Sequence, residues 1–164
     1  MEAPMGKLAI LFFISFIGAL VFSIYCSETY DNGCGYHVQA AAHATDVATA
    51  VTELQVAITY LEENNLTTGD TGVLWVSYHE NLNIMYKNLT DQLDELKALP
   101  TDTPSEKTAV ILIKLKDKLL NDYGCVEDAP AIEVYPYNGL WQTWLFGSLL
   151  FFAIFILGFV FKEG

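Results

Sequence analysis

Three cysteines, three histidines and a few paired acids are the side chains of this 164-residue chain that could do chemistry. Cys34-Gly-Tyr-His37, with His43 and the more distant His79, supplies sulfur and imidazole of the kind that hold zinc. A zinc site needs converging ligands at a defined spacing, and this set fits none of the familiar patterns, so solvent-facing histidines are expected and no metal. Glu62-Glu63, Asp91, Asp94 and Glu95 resemble paired carboxylates for general acid and base work. On amphipathic helices these positions fall on the polar face, where acids solvate the surface. No Gly-x-Ser-x-Gly elbow, Walker loop or dinucleotide fingerprint is present. The expectation is a chain without catalytic, cofactor-binding or metal residues, and not an enzyme.

The cysteines have a structural use instead. In an oxidising compartment one disulfide is expected, with Cys34 to Cys125 favoured because it closes a long loop and ties together the two ends of the central segment. Cys26 to Cys34 is the competing pairing, and either choice leaves one cysteine over.

What must position these residues is set by two apolar runs, Leu8 to Tyr25 and Leu140 to Phe161, neither of which contains Asp, Glu, Lys, Arg or His. Each is about the length a helix needs to cross a ~30 Å hydrocarbon core. They predict an all-α, double-pass membrane protein in which two transmembrane helices flank a small antiparallel three-helix extracytoplasmic domain. The expected boundaries are a cytoplasmic tail at 1–6, spans at 7–25 and 139–161, the helical domain at 26–138 and a second cytoplasmic tail at 162–164. A cleaved signal peptide is disfavoured, because Tyr25 and Cys26 stand where small residues are needed before a cut. Lys7 and Lys162 flank the runs on the outside while the inner flanks carry acids, which places both termini in the cytoplasm. Tyr25, Tyr30, Tyr135, Tyr137, Trp141 and Trp144 are expected together at one headgroup layer.

Composition fits that division. The chain is 52% hydrophobic with a mean hydropathy of +0.31, yet its net charge is -12. It has no arginine, and eight lysines face twenty acids, a balance of the wrong sign for nucleic acid or phosphate. Acidity that keeps the central domain in solution is the plainest account, and attraction of cations or basic partners is the other.

Within the central domain, Ala40, Ala44, Val47, Val51, Leu54, Ile58 and Leu61 step by four and three, a seam that predicts a packed helix ending near Asn64-Asn65. A second helix is predicted from a capping box at Ser77-Tyr-His-Glu80, with a stripe of Leu82, Met85, Leu89, Leu93 and Leu96 and a stop at Pro100. A third is predicted from Thr103-Pro-Ser-Glu106, with proline at the first helical position. That cap decides for helix over strand at Ile111 to Lys116. Asn65-Leu-Thr67 and Asn88-Leu-Thr90 match the N-glycosylation acceptor pattern, the latter inside a helix.

Tyr60-Leu-Glu-Glu-Asn-Asn-Leu-Thr-Thr-Gly69, with Thr71-Gly-Val-Leu-Trp75, Tyr86-Lys-Asn-Leu89 and Thr103-Pro-Ser-Glu-Lys107, resembles a group of uncharacterised bacterial membrane-anchored proteins, cyanobacterial ones among them. The resemblance covers roughly Ala40 to Leu120. It implies a helical extracytoplasmic domain and a bacterial source, without an activity, and the second span is a departure from the group.

In the apolar runs, Ser15, Ala19 and Ser23 recur at four-residue spacing beside Gly18, and Thr143 and Gly147 do so beside Ser148. Small residues so spaced let helices pack on each other or on partners. The expected function is a non-catalytic accessory or structural subunit of a larger membrane protein assembly, docking through its spans and helical domain. The expected partners are other membrane subunits or further copies of itself, together with the lipid bilayer, and no nucleic acid. The alternatives are a ligand-sensing helical bundle with a pocket at Trp75, Tyr78, His79 or Tyr86, and an oligomeric two-span channel. Against the channel, neither run has a polar stripe to line a pore.

Overall fold

The computed structural model describes residues 4–71, 81–100, 103–120, 140, 141, 144 and 146–148, with side chains from Ile14 onward. The chain begins with helix α1, Pro4–Tyr30, which runs into a π-helical turn, Asp31–Gly35, and then α2, Tyr36–Ala42. After a short bend come α3, Val47–Glu63; α4, Leu82–Lys97; and α5, Ser105–Leu119. The described residues form no strand, and Asp70 and Asn81 make an isolated bridge.

The expected double-pass arrangement is corrected. Among the described residues no helix is long and apolar enough to cross a membrane, so spans at 7–25 and 139–161, an integral-membrane location and cytoplasmic termini are not supported. Composition along α1 gives the physical reason. Past Tyr25 the helix continues through Cys26, Ser27, Glu28 and Thr29 to a buried Tyr30, so its described side chains join an apolar stretch to a polar turn that enters the bundle. Of the second run, only residues 140, 141, 144 and 146–148 are described. There Trp144 stacks on Phe16 with ring centroids 5.7 Å apart and on Trp141 at 5.5 Å. Its indole N–H donates to the Ser15 hydroxyl at 3.0 Å. Trp144 thus lies beside Ser15, about 15 Å along the helix from Tyr25 at 1.5 Å per residue, rather than with it at one end.

The bundle follows from apolar periodicity. All five stripe residues of α4, Leu82, Met85, Leu89, Leu93 and Leu96, are buried. They face Leu54, Ala57, Ile58 and Leu61 of α3 in one core cluster, which Val38, Ala41 and Ala42 of α2 and Leu115 and Leu119 of α5 complete. The π-helical turn and α2 pack on α3, and α5 packs on α2. The π-helical turn and α2, which precede Ala44, are therefore a helical wall of the core.

Caps set the helix boundaries. Thr45 and Asp46 interrupt the predicted seam, leaving Ala40 on the preceding helix, and Asp46 starts α3 by accepting from the Thr49 amide at 2.8 Å and the Thr49 hydroxyl at 2.7 Å. The helix closes at Asn64-Asn65 as its sequence predicts. Asn65 takes a left-handed φ of 57°, while Leu66 N–H donates to the Leu61 carbonyl at 2.7 Å and Asn65 N–H to that of Glu62 at 3.2 Å. This pair of bonds is the Schellman closure, with asparagine in the place glycine usually fills.

Asn81, not Ser77, caps α4; its side chain accepts from the Ile84 amide at 3.2 Å and donates to Asp70 at 2.8 Å, so it also holds the preceding loop. The predicted box at Ser77 to Glu80 lies outside the described residues. At α5 the helix forms but the predicted box does not: Pro104 is itself the cap residue with extended ψ, and the Thr103 hydroxyl turns back to the Pro100 carbonyl at 2.6 Å.

The Thr49 hydrogen bonds hold the Asp46 carboxyl below its ordinary range. A carboxyl lowered on folding stabilises the protein above its unfolded pKa of about 3.9, and that contribution is lost as pH falls through the lower, folded value. Asparagine caps a helix without titrating. In urea unfolding from neutral to strongly acidic pH, Asp46→Asn is expected to lose less stability on acidification than the parent; parallel acid limbs would contradict this role.

Candidate functional site

An open cleft of about 540 Å³ lies between the π-helical turn with α2 on one side and α3 on the other. Gly33 and His37 form one wall; Val51, Gln55, Val56, Tyr60 and Glu63 form the other. A π-helical turn bonds five residues back, here Tyr36 N–H to the Asp31 carbonyl, and so widens the helix locally. The widened turn offers Gly33 as bare backbone to Tyr60. An added Cβ at Gly33 would overlap the Tyr60 ring, so the two walls can meet only with glycine at this position.

Two further contacts fix the walls. His37 Nδ1 lies 2.6 Å from Glu53 Oε2, both half-buried, an imidazole–carboxylate link between α2 and α3. Tyr30 packs edge-on against Tyr60 with centroids 6.5 Å apart, and its hydroxyl donates to Met85 Sδ at 3.3 Å.

Behind the cleft Cys34 is fully buried. Burial pushes its thiol up to about 11, against a smaller lowering by its hydrogen bond with Tyr30. Burial, then the neighbouring Cys34, raises Tyr30 well above the usual phenol range, and burial raises Tyr60 and Cys26. Both Tyr30 and Cys34 are thus neutral at physiological pH. A thiol so enclosed and so weakly acidic holds little thiolate, the form in which cysteine attacks electrophiles.

The expected disulfide is overturned on the same ground: Cys34 and Cys26 are both free thiols. Cys34, a free thiol enclosed in the core, is not joined to Cys125, which itself lies outside the described residues. Cys26 to Cys34 fails on geometry, since eight residues along a helical path separate α-carbons by about 12 Å, beyond the ~7 Å that a disulfide spans.

The other residues singled out by sequence do not gather into one place. His43 is exposed and bonded to the Gln39 carbonyl at 2.9 Å, while His79, Trp75 and Tyr78 lie outside the described residues. No group of three His, Cys, Asp or Glu among the described residues could hold a metal. Tyr86 donates to Glu62 at 2.6 Å, and that bond raises its pKa. Glu95 meets Lys118 at 3.2 Å, and Asp91 and Asp94 are exposed.

Ser15 carries the Trp144 bond, but Gly18 and Gly147 have open space where a Cβ would stand. Ala19, Ser23 and Ser148 are half-buried, and Thr143 is outside the described residues. Of the acceptor asparagines, Asn65 is the exposed helix-ending residue and Asn88 is exposed within α4. Sequence reasoning passed over Gly33, Tyr60 and the His37–Glu53 link; the signal available was Gly33-Cys-Gly35 within an otherwise helical stretch.

No protein-family model matches the chain, and neither the curated proteins nor the solved structures contain a match to it.

Two measurements check this geometry. Alanine at a helical glycine ordinarily gains about 1 kcal/mol, but overpacking against a fixed neighbour costs about 1–3 kcal/mol. Gly33→Ala is therefore expected to destabilise the protein in denaturant unfolding, and the loss should vanish when Tyr60→Ala removes the ring; equal effects in both backgrounds would refute the contact. For Cys34, iodoacetamide at neutral pH is expected to spare the native protein and to modify it after denaturation without reductant, whereas a residue still blocked then would signal a disulfide.

Proposed function

We propose that the protein is a non-catalytic accessory or structural subunit that docks into a larger protein assembly through the apolar surface of α1. The observation that supports this reading is the exposure of Ile14, Phe16, Ile17, Leu20, Val21, Phe22, Ile24 and Tyr25, which are 41 to 68% accessible. They surround the helix rather than forming one stripe. A helix apolar on all sides belongs inside something. Burying a large apolar side chain is worth about 1.5–3 kcal/mol, so eight half-exposed ones amount to roughly 10 kcal/mol. That is comparable to the whole ~5–15 kcal/mol net stability of a domain, too much to leave facing water. Contiguous exposed apolar area of this kind marks an interaction site.

The polar bundle then serves as a rigid body carried by that anchor. Its core elements are tied by side-chain bonds from Tyr86 to Glu62, Lys97 to Gln55 at 2.7 Å, and Lys118 to Gln92 at 3.2 Å.

Purification of the tagged chain in mild detergent, with masses taken of whatever accompanies it, tests the reading. Protein partners at fixed stoichiometry are expected. Leu20→Asp with Ile24→Asp should release them while leaving thermal unfolding of the bundle unchanged. A lone monomer from the parent chain, or partners retained by the double variant, would defeat it.

A further inference from the structure

We infer that α5 of one copy docks into the cleft between α2 and α3 of a second copy, so that the chain self-associates head to tail. The inference is independent of what α1 binds. Its first half is the outer face of α5. Val110 and Ile113 are 52% and 60% exposed, whereas Leu115 and Leu119 on the opposite face are buried in the core. Lys107 and Lys114 stand one turn to either side of Val110, and Lys116 one turn beyond Ile113, with Glu106 and Asp117 closing the stripe at its ends. Half of the eight lysines in a chain of net charge -12 lie on this one helix.

The second half is the cleft. Its floor is apolar, with Val51, Tyr60 and a 41% exposed Val56, and its one lining acid is the exposed Glu63, while Glu53 lies outside the lining, bonded to the wall residue His37. Length and charge both match. The α3 wall from Val51 to Glu63 is about 18 Å long and the α5 stripe from Glu106 to Asp117 about 16 Å, at 1.5 Å per residue. An amphipathic helix laid in a groove by anchors at i and i+3 is a common mode of recognition. A lysine flanking the anchors meets the Glu63 carboxylate at the end of α3, which fixes direction and register more than affinity.

A helix cannot fill its own cleft here, because Leu115 and Leu119 hold the inner side of α5 in the core and its outer side faces away. The partner is therefore another copy. Since the two surfaces differ, the contact is heterologous and propagates into a ring or an open chain rather than closing as a two-fold dimer.

Sedimentation velocity of the full chain in mild detergent, over a concentration series at low and high salt, tests this. The expected result is concentration-dependent association that weakens with salt and weakens about tenfold or more in Ile113→Asp, an anchor truncation. Lys114→Glu and Glu63→Lys alter exposed side chains, so circular dichroism should be unchanged in both, and each should weaken association. Mixing these two variants should restore pairing, because the unaltered α5 of one meets the unaltered cleft of the other. A parent chain that stays monomeric, association that survives both charge variants, a mixture no better than its components, or association lost only through Leu20→Asp with Ile24→Asp would overturn the inference.

Discussion

Tyr60 packed against the backbone of Gly33 sets the position of the turn and helix that precede α3. Because the ring occupies the space a Cβ would need, the π-helical turn comes closer to α3 than ordinary side-chain packing allows, and α2 must follow at that depth. Cys34 and Val38 are thereby carried into the core, and Tyr30 reaches Met85 across it. The α2 wall in turn supports α5. The direction in which α1 leaves the bundle is fixed by the same approach, since α1, the π-helical turn and α2 form one continuous helical path. A single small residue thus couples the exposed apolar helix to the folded body.

Charge is arranged around this frame in an asymmetric way. The acids are spread over the outer faces of α3 and α4, and lysines are gathered on α5. Among the described residues, His37 pairs with Glu53 and Lys118 with Glu95. Surface pairs of this type contribute about 0–1 kcal/mol each. Stability therefore rests on the apolar seam, and the charge is free to serve solubility and orientation.

Where the apolar period is long and uninterrupted, sequence and structure agree. The α4 stripe lies wholly in the core, and helix was the right reading of Ile111 to Lys116 despite its alternation. Helix starts were less legible, because several residues can cap and only the three-dimensional neighbourhood chooses. Asn81 prevails as a cap because Asp70 returns beside it, and the proline-containing box at α5 gives way because the Thr103 hydroxyl finds a closer acceptor in Pro100. Composition misled most at the cysteines and the apolar runs. Nothing in the spacing of Cys34 shows that it will be enclosed by two tyrosines, and an uncharged run does not reveal that its helix continues into a bundle. The cleft was legible only in part, since His37 stood out by type while its partner Glu53 did not.

The bond from Trp144 to Ser15 joins residues 129 apart in sequence. During synthesis at ~5–20 residues per second, the start of the chain must wait roughly 6–26 s for its tryptophan to be made. Throughout that interval the most apolar of the described helices is present without its own closing contact. Loop closure over such a separation is also among the slower steps of folding. The order of manufacture thus leaves a window in which α1 is available to whatever apolar surface is nearest, and early capture by a protective partner would favour assembly over aggregation.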